Sequence, residues 1–596
     1  MSDPVASRPV IVHETPSPMA ASPAVWGSDA IAACLRTLDI PYLALNPGAS
    51  YRGLHDSLVN YLGNSRPQML LAIHEEAAVT MAHGYAKVAE RMMGAVVHSN
   101  VGLMHATMAI FNAWCDRQPV LILGATGPWD AARRRPWIDW IHTAADQGAL
   151  VRDYTKWDNQ PASVPAACEA LMRAAQLANT PPRGPVYVNL DAGLQETRID
   201  ALPPMPEASR HRAPESPRPA PELVTEAARL LSAARRPVIL VGRSRRSELA
   251  WKARVTLAEA LNASVITDLK LAAAFPTDHP LHVAPPGSFP HTRAQAALRE
   301  ADVVLSLDWT DLAGTLKTAF GGERVSAKVV NVSLDAHAHR GWSMDHQGLP
   351  VADVYLLCEP DAALPALIDA VSPRRVERPS GPSYEEARPI DDEALSLQAL
   401  AGVFNEAARG ISVSLTRVPL GWHGSYRHFR HPLDYIGADG GAGVGSGPGI
   451  TVGAALALKG SGRVPVALMG DGDFLMSVTA LWTATHYQIP CLIVVCNNRA
   501  FYNDELHQER VARERGRPVE NKWIGQRLAD PDIDLAAIAR AQGAEGIGPV
   551  TRPAEAGKAI AQGLAMVQQG AVCVIDARVL PGYGTDMSGT PSPRRR

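Results

Sequence analysis

Cysteine is scarce in this chain: seven residues among 596, scattered, with no Cys-x-x-Cys pair and no metal-type spacing. A sparse, odd set argues against a disulfide framework or a zinc-ribbon site and suggests free thiols in a reducing compartment. Long apolar runs are missing too; none approaches the ~18 residues of a membrane-spanning helix. The first residues lack the charged, apolar, small-residue order of a secretory signal. Charge of one sign is also lacking. Lys plus Arg number 57 against 60 Asp plus Glu, a net of −3. No global basic footprint for nucleic acid follows from that balance. The short basic stretches, Arg133 to Arg135, Arg243 to Arg246 and Arg594 to Arg596, read as solvated faces. These absences lead to the expectation of a cytoplasmic enzyme or small-molecule-binding protein, with no membrane or nucleic-acid partner.

What is present is an ordinary globular composition, 46% hydrophobic and 20% charged, in a chain too long for one core. Two proline-rich stretches, 202–221 and 372–389, block helix interiors and strand ladders and read as linkers. They divide the chain into segments 23–200, 222–371 and 390–580, with a Gly/Ser/Pro-rich tail over 581–596. Each segment alternates short apolar strand-like runs with helical patterns. QMLLAI precedes AAVTMAHGYAKVAE in the first, PVILVG and DVVLSLD stand in the second, and PVALMG precedes CLIVVCN in the third. The alternation predicts an α/β chain of three consecutive domains with parallel sheets.

The sharpest chemical signal lies in the third segment. PVALM runs into Gly470-Asp471-Gly472-Asp473, a helix of about three turns is expected next, and the strand CLIVVC then ends at Asn497-Asn498. A Gly-Asp-Gly by itself is more often a tight turn. Here a strand precedes it, and the second Asn follows the Asp by 27 positions at the end of the next strand. Asp471 and Asn498 therefore fall at the carboxyl ends of two parallel strands, the edge where doubly wound sheets bind ligands. Two oxygen donors there suit a hard cation such as Mg²⁺, completed by phosphate oxygens and water. A helix N-terminus beside them favours a diphosphate.

GDGDFLMSVTALWTATHYQIPCLIVVCNN resembles the cofactor signature of thiamine diphosphate enzymes. More narrowly, it is similar to the group holding acetolactate synthase, benzoylformate decarboxylase, oxalyl-CoA decarboxylase and 2-hydroxyacyl-CoA lyase. The resemblance spans roughly residues 23–580, in the order pyrimidine-binding, middle and diphosphate-binding domain. It implies that Gly470, Asp471, Gly472, Asp473 and Asn498 bind the cofactor, with Mg²⁺ on Asp471, Asn498 and the carbonyl of Ala500. It also implies one glutamate beside N1′ of the aminopyrimidine. The strand ending at His74-Glu75-Glu76, nine residues before Gly84 of GYA, points to Glu75. That role asks for a carboxyl able to share a proton with a ring nitrogen, which partial burial favours. YIGADGGAGVGSGPG resembles the segment that bends the cofactor into a V, with Val444 where relatives carry a bulkier residue and the backbone near Ala442 under the 4′-amino group.

The residues expected to choose the substrate are less uniform. GAVVHSNVGLMHATMAIFNAW looks most like the benzoylformate decarboxylase version and places His98 on that family's active-site histidine, suited to proton transfer. In Asn46-Pro47-Gly48-Ala49-Ser50 the substrate serine position is held by Ala49, with Ser50 one place later. Tyr502, Glu505 and His507 fall in a charged loop that would face the substrate, Glu505 as an acid or base. The tail could close the site or be a free end. In the middle segment Val241-Gly242-Arg243 is a loose nucleotide signal without GxGxxG; FAD or ADP there is neither selected nor excluded.

The resemblance thus implies a thiamine diphosphate- and Mg²⁺-dependent carbon–carbon lyase, foremost a decarboxylase of 2-oxo acids with possible carboligation. Acyl-CoA chemistry of the 2-hydroxyacyl-CoA lyase or oxalyl-CoA decarboxylase kind is the alternative, and acetolactate synthase-like carboligation the third. A non-catalytic nucleotide-binding relic and a nicotinamide oxidoreductase are the rivals from other classes; the latter lacks its GxGxxG. The family arrangement further implies a homodimer or homotetramer with active sites at subunit interfaces.

Overall fold

The structure is a computed structural model that describes residues 14–17, 25–338, 349–374 and 380–582. Three parallel sheets follow one another along the chain. The first contains β1 (Tyr42–Leu45), β2 (Gln68–Leu71), β3 (Met93–Val97), β4 (Val120–Thr126), β5 (Asp158–Asn159) and β6 (Val186–Asp191), in the order β2-β1-β3-β4-β6-β5. The middle sheet contains β7 (Pro237–Val241), β8 (Ser264–Ile266), β9 (Val303–Leu307), β10 (Lys328–Val332) and β11 (Val354–Leu356), ordered β11-β10-β9-β7-β8. The third contains β12 (Val413–Arg417), β13 (Val464–Gly470), β14 (Cys491–Asn497), β15 (Glu545–Val550) and β16 (Val572–Arg578), ordered β12-β13-β14-β16-β15. Central strands such as β4 and β14 are buried at every position. That is why they read as continuous Val/Ile/Leu runs rather than alternating ones.

The first and third domains share a core. The helix Glu75–Ala89 lies against the helix Gly447–Leu458, with Ala77, Met81 and Tyr85 packed in one cluster with Val452, Ala455 and Leu456. Two glycines set the closeness of this crossing. A Cβ on Gly84 would stand 2.2 Å from the carbonyl oxygen of Ile450, and one on Gly453 would stand 1.9 Å from that of Met81. Only glycine lets the two backbones approach so nearly. The glycine-rich loop before the second helix rests on the helix Ser99–Cys115, where Gly441 meets Asn112 and Gly443 meets Met108. Both cofactor-related motifs are thereby fixed to rigid elements.

One expectation about local structure is corrected. The helix after β13 does not run for three turns; it is two short helices, Asp471–Met476 and Ala480–His486, and the first begins at Asp471 itself. Ser477, Val478 and Thr479 interrupt it, a hydroxyl-rich, β-branched run of low helix propensity. The tail from 583 onward and most of the lead before residue 25 lie outside the described residues. Among the described residues no helix is long and apolar enough to cross a membrane.

Candidate active site

In the third domain the carboxyl ends of β13 and β14 open into a cleft of about 200 Å³ lined by Asp471, Asn498, Ala500, Ala442, Val444 and Tyr502, among others. Asp471 is buried, and its Oδ2 accepts from the N–H of Ala500 at 3.2 Å. The same N–H reaches Oδ1 of Asn498 at 3.0 Å, so two side-chain oxygens converge on one backbone group. The N–H of Gly472 bonds Oδ1 of Asp471 at 3.0 Å. Burial pushes the Asp471 carboxyl up to about 6, with the backbone donors only partly offsetting that cost.

Asp473 has a different environment from its neighbour. Its Oδ1 accepts from Gly445 N–H at 2.7 Å and Gly447 N–H at 3.2 Å, while Oδ2 takes Nε of Arg417 at 2.9 Å. Arg417 also donates to Asp439 at 2.8 Å, and Asp439 accepts from the N–H of Ala442 at 2.9 Å and from the Ser446 hydroxyl. Burial draws the Arg417 guanidinium down, but Asp473 and Asp439 more than restore it. This buried acid–base–acid bridge anchors the glycine-rich loop at both ends. It holds Ala442 in the left-handed region at φ 56° and leaves Val444 41% exposed toward the cleft.

In the first domain Glu75 is the first residue of its helix and is buried at 6% exposure. His74 caps that helix, its Nδ1 accepting from the N–H of Glu76. His105, from the helix Ser99–Cys115, places Nδ1 3.0 Å from Oε2 of Glu75. Close by, His98 Nδ1 and Ser50 Oγ lie 2.8 Å apart. Gly48 leaves room for that imidazole, since a Cβ there would fall 2.3 Å from the ring. Burial first, and His142 second, hold the His98 imidazole below its ordinary range, so it is neutral near pH 7. The His142 ring stands edge-on to it at 4.9 Å. His142 is pinned by its backbone carbonyl to the Ser99 hydroxyl, and Asn100 donates to the neighbouring Ile141 carbonyl at 3.1 Å.

Three family models match along the chain: the N-terminal TPP-binding domain of thiamine pyrophosphate enzymes over residues 25–150, their central domain over 224–341 and their C-terminal TPP-binding domain over 419–577. The chain belongs to the thiamine diphosphate-dependent enzymes. Benzoylformate decarboxylase of Pseudomonas aeruginosa is 27% identical, covering 81% of this chain and 87% of that protein. A probable acetolactate synthase large subunit of Methanocaldococcus jannaschii is 26% identical, covering 79% and 80%. The crystal structure of benzoylformate decarboxylase from Polynucleobacter necessarius superposes with a TM-score of 0.78 at 22% identity, over 94% of this chain and all of that one. The chain is thus a thiamine diphosphate enzyme of the decarboxylase and acetolactate synthase group.

The residues of the third-domain cleft fit the cofactor's diphosphate and a hard cation. The decisive feature is Asp471, a buried carboxyl with no cationic side chain among the causes of its shift, raised by desolvation alone and opening on a cleft. A cation there would replace the missing compensation. Gly470 adds to the fit, because nothing lies within 4 Å of where its Cβ would stand.

The remaining expected residues divide. Ser50 bonds to His98 and is buried, whereas Ala49 is exposed, so the hydroxyl arrives from one position later than the family pattern. Tyr502 lines the cleft. Glu505 is buried and pairs with Arg527 at 3.4 Å, and His507 is exposed beside Arg510 at 3.3 Å; neither lines the cleft. In the middle domain the crevice beyond β7 and β9 is crossed by ion pairs of Arg117 with Asp308 and Asp335. Arg417, Asp439, His105 and His142 were absent from the sequence reading. His105 lies in the helix Ser99–Cys115, which follows His98, and Asp439 lies in the glycine-rich stretch, but neither carries a local mark of its partner.

Proposed function

We propose that this enzyme decarboxylates a 2-oxo acid, with Mg²⁺ and thiamine diphosphate held by the third domain and Glu75 supplied by a second copy of the chain. The observation that carries the reading is the neutral His98, hydrogen-bonded to Ser50 at the strand ends that also present Glu75. When bound, the cofactor supplies an electron sink for the carbon released by C–C cleavage. The carboxylate of Asp471, the side-chain oxygen of Asn498 and the Ala500 carbonyl would hold Mg²⁺, and Gly470 and Gly472 would let the diphosphate approach the backbone. Ala442 and Val444 would support the rings from a loop that Asp473 braces. Glu75 would hold a proton at the aminopyrimidine N1′. With Nδ1 of His98 committed to Ser50, Nε2 would move a proton to or from the substrate carbon.

The reading of a second copy is supported by the lining of the third-domain cleft, which comes from position 269 onward and includes no first-domain residue. Apolar side chains stand exposed on both half-sites: Ile73, Val101 and Met104 near Glu75, and Leu420, Val444 and Met476 by the cleft. Exposed patches of that kind mark an interface, and a two-fold pairing would complete two sites at once.

The test is CO₂ release from the Mg²⁺- and thiamine diphosphate-loaded enzyme over a panel of aliphatic and aromatic 2-oxo acids, with Glu75→Gln as control. Release that the control abolishes supports the reading; a loaded enzyme releasing none from any acid overturns it. Carboligation is the second reading, favoured by the acetolactate synthase relatives, and would appear in the same panel as acyloin product. The acyl-CoA alternative gains no observation from the described residues.

A further inference from the structure

The middle sheet is doubly wound, ordered β11-β10-β9-β7-β8, and its switch point lies between β7 and β9, the place where such sheets hold nucleotides. A nucleotide there would set its phosphates on backbone N–H groups of the loop after β7, Gly242 to Arg246. Four of those groups are already spent. Gly242 donates to the carbonyl of Leu307 at 2.9 Å and Arg243 to that of Asp308 at 3.0 Å, so the two strands stay paired past their ends instead of parting. Gly242 serves that closeness, since a Cβ on it would stand 2.1 Å from the Asp308 carbonyl oxygen. Arg245 N–H donates to Oδ2 of Asp361 at 2.6 Å, and Arg246 N–H to Oε1 of Glu90 at 3.2 Å.

We infer that the loop after β7 is a clasp for the chain's own carbonyls and carboxylates, joining the middle domain to the first, and that this crevice takes up neither FAD nor ADP. The carboxylates stand where phosphates would. Glu90 comes from the first domain, where it closes the helix Glu75–Ala89 at a left-handed φ of 50°. Arg117, also of the first domain and just past the helix Ser99–Cys115, reaches into the crevice and pairs with Asp308 at 3.0 Å and with Asp335. The side chains of Arg117 and Asp308 are both largely buried, so losing either would strand the charge of the other. The clasp therefore grips the C-terminal ends of the two helices that meet at Glu75 and His105. The space left over is about 100 Å³, whereas a nucleotide needs on the order of several hundred. A neighbouring cavity of about 340 Å³ shares Arg117 and Arg183 with the crevice but no residue of the loop.

The experiment takes the full chain in excess Mg²⁺ and thiamine diphosphate, so that the third-domain cleft is filled, and adds ADP or FAD. The melting midpoint is read together with hydrogen exchange of the backbone over residues 242–247, resolved by mass spectrometry. Wild type is expected to show neither a higher midpoint nor slower exchange with either nucleotide. In Glu90→Gly the Arg246 amide, freed of its acceptor, should exchange about tenfold faster than in wild type. Glycine suits the φ of that position, so the variant removes the carboxylate without straining the backbone. A nucleotide that raises the wild-type midpoint or slows exchange in the loop overturns the inference. So does an Arg246 amide that exchanges in Glu90→Gly as it does in wild type. Should Glu90→Gly not fold, Glu90→Asn, whose shorter side chain also tolerates that φ, decides in its place. No turnover enters the readout, so the outcome stands apart from any result on decarboxylation.

Discussion

Replacing Asp471 by asparagine should stabilise the metal-free protein at neutral pH, although it removes a residue expected to hold the metal. The carboxyl is buried, and burial raises it from 3.8 to about 6. A raised acid favours the folded state in its protonated form. Its contribution is fully present below the unfolded value near 3.8 and is lost as pH rises through the folded value near 6. At 1.36 kcal/mol per unit the swing is about 3 kcal/mol. Asparagine keeps the neutral charge at all pH. It also turns an NH₂ toward one of the two backbone donors, Gly472 or Ala500, at a cost of about 1 kcal/mol. The net expectation is a variant about 2 kcal/mol more stable than wild type at about pH 7.5, with the advantage gone by about pH 4.5 and reversed to about 1 kcal/mol below about pH 3.

The assay is calorimetric melting of chelated, cofactor-free wild type and variant across that pH range. Taking the difference cancels the other titrating groups. If the third domain unfolds as a unit, ~2 kcal/mol corresponds to a midpoint shift of about 4–8 °C. Added Mg²⁺ and thiamine diphosphate should raise the wild-type midpoint and leave the variant's unmoved. A variant that melts below wild type at neutral pH, or a difference that does not change with pH, refutes the argument that Asp471 is a stored desolvation cost awaiting a cation.

Mixing equal amounts of Glu75→Gln and Asp471→Ala subunits under exchange conditions should recover about one quarter of wild-type activity, because half the dimers are mixed and each carries one intact site; recovery of none would place both residues in the same chain's site. Gly48→Ala should drive a Cβ into the His98 ring, which lies 2.3 Å from its position, and lower kcat about 10²-fold with normal cofactor binding; unchanged kcat would remove His98 from the chemistry. Arg417→Met should leave Asp439 and Asp473 buried without their shared cation and cost about 3–5 kcal/mol of stability, seen as a lower melting midpoint and loss of cofactor affinity; a variant melting with wild type would show that the loop is braced by other contacts.

Much of the third-domain half-site was legible because its chemistry is written locally. A strand, a Gly-Asp-Gly turn, a second strand and a terminal Asn fix Asp471 and Asn498 at one sheet edge through hydrogen-bonded neighbours, since β13 pairs directly with β14. Nothing non-local has to be known. The helix after β13 was misjudged for an equally local reason. A helix of about three turns is expected there, but Ser477 and Thr479 lower helix propensity at the point where the chain breaks.

What could not be read is the set of partners that arrive from distant elements. Arg417 stands at the end of β12, 22 residues before Asp439 and 56 before Asp473, and only the fold brings the three together. An arginine closing a strand carries no mark of that role in sequence. The same holds for His105 against Glu75, 30 residues apart, and for His142 against His98. A glutamate's residue type announces the reaction it can serve. How it is held depends on which side chains a neighbouring helix turns toward it: Gly102 leaves room beside one carboxylate oxygen, and the next turn of the helix supplies the His105 imidazole that meets the other.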